Sequence, residues 1–139
     1  MKKIKVLVLM HLDLVPPSNA ETIMKSLNLD IDKEPDWITE FDVIHALKKL
    51  KHPYYVLGVV SNLSKIRNAI DDFQPDIVFN LLEEFDGETL YDQNVVSYLE
   101  LLKTAYTGSN PRGLMIARDK ALTKKILTYH RIKTPKFQV

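Results

Sequence analysis

Five consecutive apolar residues, Val6-Leu7-Val8-Leu9-Met10, stand close to the start of the chain and admit few placements. The run is far too short to span a bilayer. Lys2, Lys3 and Lys5 precede it as in a signal peptide, but His11 and Asp13 break it and no small-residue cleavage site follows. Ile4 to Met10 therefore reads as a strand covered on both faces, the pattern of a parallel sheet.

The rest of the chain repeats a strand–helix alternation. Residues 11 to 38 form a long connection with Pro16-Pro17-Ser18-Asn19 and room for a short helix over 20–28. A helix follows, capped by Asp36 or Thr39, with Phe41, Ile44, Leu47 and Leu50 at the spacing of one face. His52-Pro53 stops it, and Tyr54 to Val60 reads as a second strand. Ser61 or Asn62 caps a helix with Leu63, Ile66, Ile70 and Phe73 inward, ended by Gln74-Pro75. Asp76 to Asn80 reads as a third strand, and Ala105-Tyr106-Thr107 as a short fourth. Between them lie an acidic loop, Glu83 to Glu88, and a helix from about Asp92 to Lys103. Gly108-Ser109-Asn110-Pro111 is read as a turn. A last helix runs from a cap at Asp119 to about His130, and an extended segment begins at Thr134. The expectation is an α/β, Rossmann-like three-layer fold: a mostly parallel sheet of about four strands with helices on both faces.

Length and composition narrow the function classes. The chain has 139 residues, the size of one domain, and a hydrophobic fraction of 45%, enough for a core. It has no cysteine, which excludes disulfides, thiolate metal sites and a cysteine nucleophile, and fits a cytoplasmic location. From Arg112 onward eight basic residues face Asp119 alone, so this stretch carries +7 and the rest of the chain −6 of the net +1. The basic residues alternate with apolar ones at helical spacing and lack interleaved aromatics, so no nucleic-acid partner is expected, and no membrane.

Open parallel sheets bind ligands beyond the carboxyl ends of their strands. His11 and Asp13, Ser61 and Asn62, Asn80 to Glu88, and Gly108 to Asn110 occupy those places. Gly108 to Gly113 has the outer spacing of a phosphate loop, but Leu114 and Met115 stand where Lys and Ser/Thr are required. Neither a P-loop nor a dinucleotide fingerprint is present. The histidines show no metal-ligand spacing, and Trp37 and Phe41 are expected to close the core beneath the long connection.

One ordered set of segments is more specific. Asp76-Ile-Val-Phe-Asn80, Gly87-Glu88, Tyr98-Leu-Glu-Leu-Leu102 and Ala105-Tyr-Thr-Gly-Ser109 are followed by Gly113-Leu-Met-Ile-Ala117, Asp119-Lys120 with Lys124, and Thr134-Pro135-Lys-Phe137. Together they resemble the D-alanine–D-alanine ligase family of ATP-grasp enzymes over residues 76–139. Residues 1–75 agree with it in element order only.

The resemblance implies an N-terminal, pre-ATP-grasp domain over 1–116, which supplies part of the substrate site, and the start of the ATP-grasp region over 117–139. Family members activate a carboxylate with ATP as an acyl phosphate that an amine then attacks. It implies ATP and Mg2+ as cofactors of the full-length enzyme, an amino-acid or carboxylate substrate, and a homodimer as the assembly common in the family. Lys120 matches the lysine beside the nucleotide phosphates, and its place in a first helical turn also favours an anion. Glu88 falls on the family's Gly-Glu pair. The catalytic lobes are expected beyond residue 139, so the isolated chain is expected to be inactive, with no catalytic residue of its own and little uptake of nucleotide.

Two departures bear on the substrate. The family's Gly-Gly turn and Ser-x-Glu segment after strand one are replaced by His11-Leu-Asp-Leu and an insertion, with Glu40 a loose stand-in. Its His-Gly after strand three is replaced by Glu83-Glu84, an acid where a substrate carboxylate would be received. The candidate substrate-binding residues are accordingly Glu88, Glu83, Glu40 and His11. The rival reading is a stand-alone Rossmann-like module that binds a ligand or partner without catalysis. In that reading Lys120 is a solvated helix lysine and 83–88 an acidic surface loop.

Overall fold

The computed structural model describes residues 2–26 and 34–136. Three parallel strands, β1 (Val6–His11), β2 (Tyr54–Val59) and β3 (Ile77–Asn80), form a sheet in the order β2-β1-β3. β1 is central, with Val6 opposite both Tyr54 and Ile77 and Leu9 opposite both Leu57 and Asn80. Its five apolar residues are all buried, at no more than 2% exposure.

Alternation along β1 divides the core in two. Leu7 and Leu9 pack with Leu57, Val59, Ile66, Val78 and Leu99 on one face. Val6, Val8 and Met10 pack with Val43, Ile44 and Leu47 on the other. The first face is closed by α3 (Leu63–Phe73) and α4 (Asp92–Leu101), the second by α2 (Ile38–Lys49). The crossover from β1 to β2 and the return crossover from β2 past β1 to β3 run in opposite directions, which places their helices on opposite faces. Each large side chain fully buried in this way contributes about 1.5–3 kcal/mol.

The described part of the long connection contains a 3-10 turn, Leu12–Leu14, and α1 (Ala20–Ser26), which is tied to α2 by Lys48 Nζ and Glu21 Oε1 at 2.5 Å. The remainder of the short helix expected to residue 28 lies outside the described residues, as do residues 137–139 of the extended segment and of the Thr134–Phe137 motif. Trp37 and Phe41 are half-buried and meet edge to face at 5.9 Å.

Three expectations need correction. The fourth strand is absent among the described residues: Tyr106 makes one parallel bridge to Val78 and no ladder. Val78 donates to the Ala105 carbonyl and accepts from Thr107 N–H, but the next donor, Asn80 N–H, goes to the Thr107 hydroxyl at 3.0 Å. Gly108, at φ +98°, then turns the chain away. The cap of α2 is Trp37, without a side-chain hydrogen bond, in place of Asp36 or Thr39. The turn at 108–111 opens a further helix, α5 (Pro111–Arg118), which Asn110 caps by accepting from Gly113 N–H at 2.8 Å. Asn62 and Asp119 cap α3 and α6 (Lys120–Tyr129) as expected, accepting from Ser64 and Leu122 N–H.

Candidate functional site

In a sheet ordered β2-β1-β3, connections leave β1 and β3 in opposite directions, which opens a crevice at their carboxyl ends. A cleft of about 680 Å³ occupies that place. The 3-10 turn after β1 supplies Leu14, α2 supplies Thr39 and Glu40, and the segment after β3 supplies Asn80 to Glu83. The loop through Thr107, Gly108 and Ser109 closes one side, and Asp92, Leu114 and Arg118 complete the wall.

Two features of this cleft stand out chemically. Glu40 is only 5% exposed, and its Oε2 is, among the described residues, the one buried side-chain oxygen or nitrogen without a hydrogen-bond partner. A buried carboxylate oxygen in that condition is costly unless something completes it. Asp92, also 5% exposed, is by contrast fully engaged. Its Oδ2 accepts from Arg118 Nη2 at 2.5 Å and Nε at 3.1 Å, and its Oδ1 from Gln93 N–H at 2.5 Å. Arg118 Nη2 also donates to the Glu83 carbonyl at 3.1 Å. The hydrogen bonds to Asp92 hold the guanidinium pKa above its ordinary value, with the nearby charges of Asp92 and Glu83 adding to the effect.

Of the residues singled out from sequence, Glu40 and Glu83 are brought together in the cleft wall. His11 and Glu88 are not among its lining. His11 Nδ1 caps the 3-10 turn by accepting from Asp13 N–H, and its Nε2 lies 3.5 Å from Glu84 Oε1. Glu88 is exposed and closes a tight turn in which Phe85 and Glu88 exchange backbone hydrogen bonds across Asp86-Gly87. Both central residues have positive φ, as an Asp-Gly hairpin turn requires. Buried Leu82 and Phe85 anchor that loop to the core. Lys120 stands apart from the first cleft and lines a smaller one of about 330 Å³ with Lys124, Lys133, Thr123 and Thr134.

Sequence reasoning passed over Asp92 and Arg118, which it read only as a helix start and a contribution to charge. The available signal was Asn110-Pro111, a cap followed by proline at the first helical position. It announces α5 and so places Arg118 at that helix's end.

The basic lining around Lys120 is chemically suited to phosphate. Among the described residues no group of three or more His, Asp or Glu is arranged to hold a metal ion. No helix among them is long and apolar enough to cross a membrane.

Fold and cleft together define an α/β domain of the Rossmann-like kind with a cleft at the carboxyl ends of β1 and β3. Comparison of sequences adds a narrower relationship. The chain is 43% identical over 68 residues to a D-alanine–D-alanine ligase of Moorella thermoacetica, covering 49% of this chain and 21% of that protein. It is 39% identical over 94 residues to the corresponding ligase of Pelagibacter ubique, and 34% over 91 residues to that of Zymomonas mobilis. Each of these matches covers 66% of this chain, and 29% and 27% of the respective relative. No family model and no solved structure matches. The chain is thus related in sequence to the D-alanine–D-alanine ligases over half to two thirds of its length, and its matches span less than a third of those relatives.

Proposed function

We propose that this chain forms the substrate-side domain of an ATP-dependent ligase that joins a carboxylate to an amine. The observation that carries the reading is the coincidence of ligase relatedness with a built cleft at the β1/β3 switch point. Residues 1–116 form the substrate-side domain and 117–139 open the nucleotide-binding region, a division that falls within α5.

In this reading ATP, when bound, supplies the phosphoryl group that converts the carboxylate to an acyl phosphate, with release of ADP. The acyl carbon then forms its bond to the amine nitrogen as its bond to the phosphate oxygen breaks, and the nitrogen gives up its proton. The residues of this chain bind and position. Glu40 offers a buried acceptor to a substrate N–H. Arg118, held by Asp92 and the Glu83 carbonyl, fixes the wall of the cleft. Lys120, in the first turn of α6, meets nucleotide phosphate together with the helix dipole.

The outer helices support a larger assembly. α5 and α6 bury no residue, and Met115, Leu122, Tyr129 and Ile132 on and after them are exposed. Exposed apolar side chains on outer helices suit a surface that further protein covers.

The test is to express the polypeptide of the complete reading frame and measure ADP formation with ATP, Mg2+ and amino-acid substrates. Carboxylate-dependent scrambling of isotope between the bridging and non-bridging oxygens of ATP is expected, as an acyl phosphate requires. Absence of both would leave the rival reading, a Rossmann-like binding module without catalysis.

A further inference from the structure

The cleft wall carries an uneven charge. Asp36, Glu40, Glu83 and Asp92 bring four carboxylates, and among the described residues of its lining Arg118 is the only cationic side chain. That guanidinium is already committed to Asp92 and to the Glu83 carbonyl. Among the described residues, Asp36 and Glu40 therefore stand without a balancing cation in the wall, and the more buried of the two, Glu40, has an oxygen without a hydrogen-bond partner. A zwitterionic amino acid is a poor match, because its own carboxylate would sit among these acids. The same lining includes Leu14, Leu81, Leu82 and Leu114, which suit a methylene chain.

We infer that the cleft takes an aliphatic diamine, a short methylene chain with a cationic nitrogen at each end, one of them paired with the Glu40 carboxylate. Two ammonium groups neutralise the acidic wall, one of them at the buried Glu40 carboxylate. The inference rests on the ligase reading only for its consequence, that the diamine is the amine partner. Binding itself needs nothing beyond the cleft.

Calorimetric titration of the 139-residue chain with 1,4-diaminobutane at low salt tests it. Saturable one-to-one binding is expected, with butylamine about tenfold weaker because it lacks the second charge. D-alanine and succinate are expected not to bind at the same concentrations. Glu40→Gln is expected to weaken the diamine about tenfold, the scale of one charge-assisted hydrogen bond. Asp36→Asn, at an exposed position, is expected to weaken it several-fold, and carries the test should Glu40→Gln fail to fold. No saturable binding, butylamine equal to the diamine, D-alanine tighter than it, or affinity unchanged in a folded variant would each overturn the inference. ADP formation with D-alanine but not with diamine in the full reading-frame product would sink it and leave the ligase reading intact. Glu40-dependent diamine binding without ADP formation would do the reverse.

Discussion

Arg118 reaches back from the end of α5 to Asp92 at the start of α4, with Nη2 and Oδ2 2.5 Å apart. The pair spans 26 residues of sequence and holds the α4–α5 corner against the cleft. Asp92 is buried, whereas the Arg118 side chain is 33% exposed, so solvent screens part of the attraction. Removing the arginine leaves Asp92 with the Gln93 N–H alone. Arg118→Ala is expected to destabilise the chain by about 1–3 kcal/mol, the cost of an incompletely satisfied buried acceptor. Urea denaturation measures it. Asp92→Asn, which removes the charge and keeps the shape, should cost less, and equal losses in the two variants would contradict the account.

Thr107 and Asn80 make the second prediction. The Thr107 hydroxyl accepts the Asn80 N–H at 3.0 Å, where a fourth strand would have offered a carbonyl. Thr107→Val keeps the shape and removes the acceptor, at an expected cost of about 1–2 kcal/mol. Thr107→Ser should restore most of it. Amide hydrogen exchange at Asn80 should accelerate in the valine variant alone.

Much of the framework was legible because it rests on local patterns. The unbroken apolar run of β1 announced a central strand covered on both faces, and Asn62 and Asp119 announced their helices by cap chemistry. α5 escaped because it is only eight residues long, buries nothing and has Gly113 inside it. The fourth strand was overread because the strand-favouring residues Tyr106 and Thr107 cannot reveal from sequence that Thr107 bonds through its side chain. Glu40 and Glu83 were selected by resemblance and do share a cleft. The burial of Glu40 and the Asp92–Arg118 pair were not legible, since both arise from packing between elements far apart in sequence. Glutamate is also seldom buried, which gave no reason to expect it here.

Gly58 makes the third prediction. A Cβ placed there would lie 2.6 Å from Val15 Cγ2 and 3.0 Å from Leu12 Cα, so the glycine lets the segment after β1 fold across β2. The Val15 side chain can rotate but the Leu12 backbone cannot yield cheaply. Gly58→Ala is expected to cost about 1–3 kcal/mol by overpacking. Because that segment carries Leu14 into the cleft, the substitution should also weaken ligand binding. A Gly58→Ala chain as stable as the parent would show that the segment packs otherwise.

Tyr106 supplies a titration. Its hydroxyl donates to Glu100 Oε1 at 2.7 Å, tying the segment that bridges Val78 to α4. The hydrogen bond to Glu100 first, then burial and the carboxylate's charge, push the phenol from 10.0 up to about 12. The protonated phenol is the form the fold favours. The contact's contribution is therefore complete below about pH 10 and lost as pH rises from there toward about 12, where the folded phenol ionises. Phenolate absorbance of the parent minus that of Tyr106→Phe isolates this group from the other tyrosines. Its midpoint should fall toward the ordinary tyrosine range in Glu100→Gln, which removes the carboxylate charge and weakens the acceptor. A midpoint that does not move would mean that burial, and not Glu100, holds the proton.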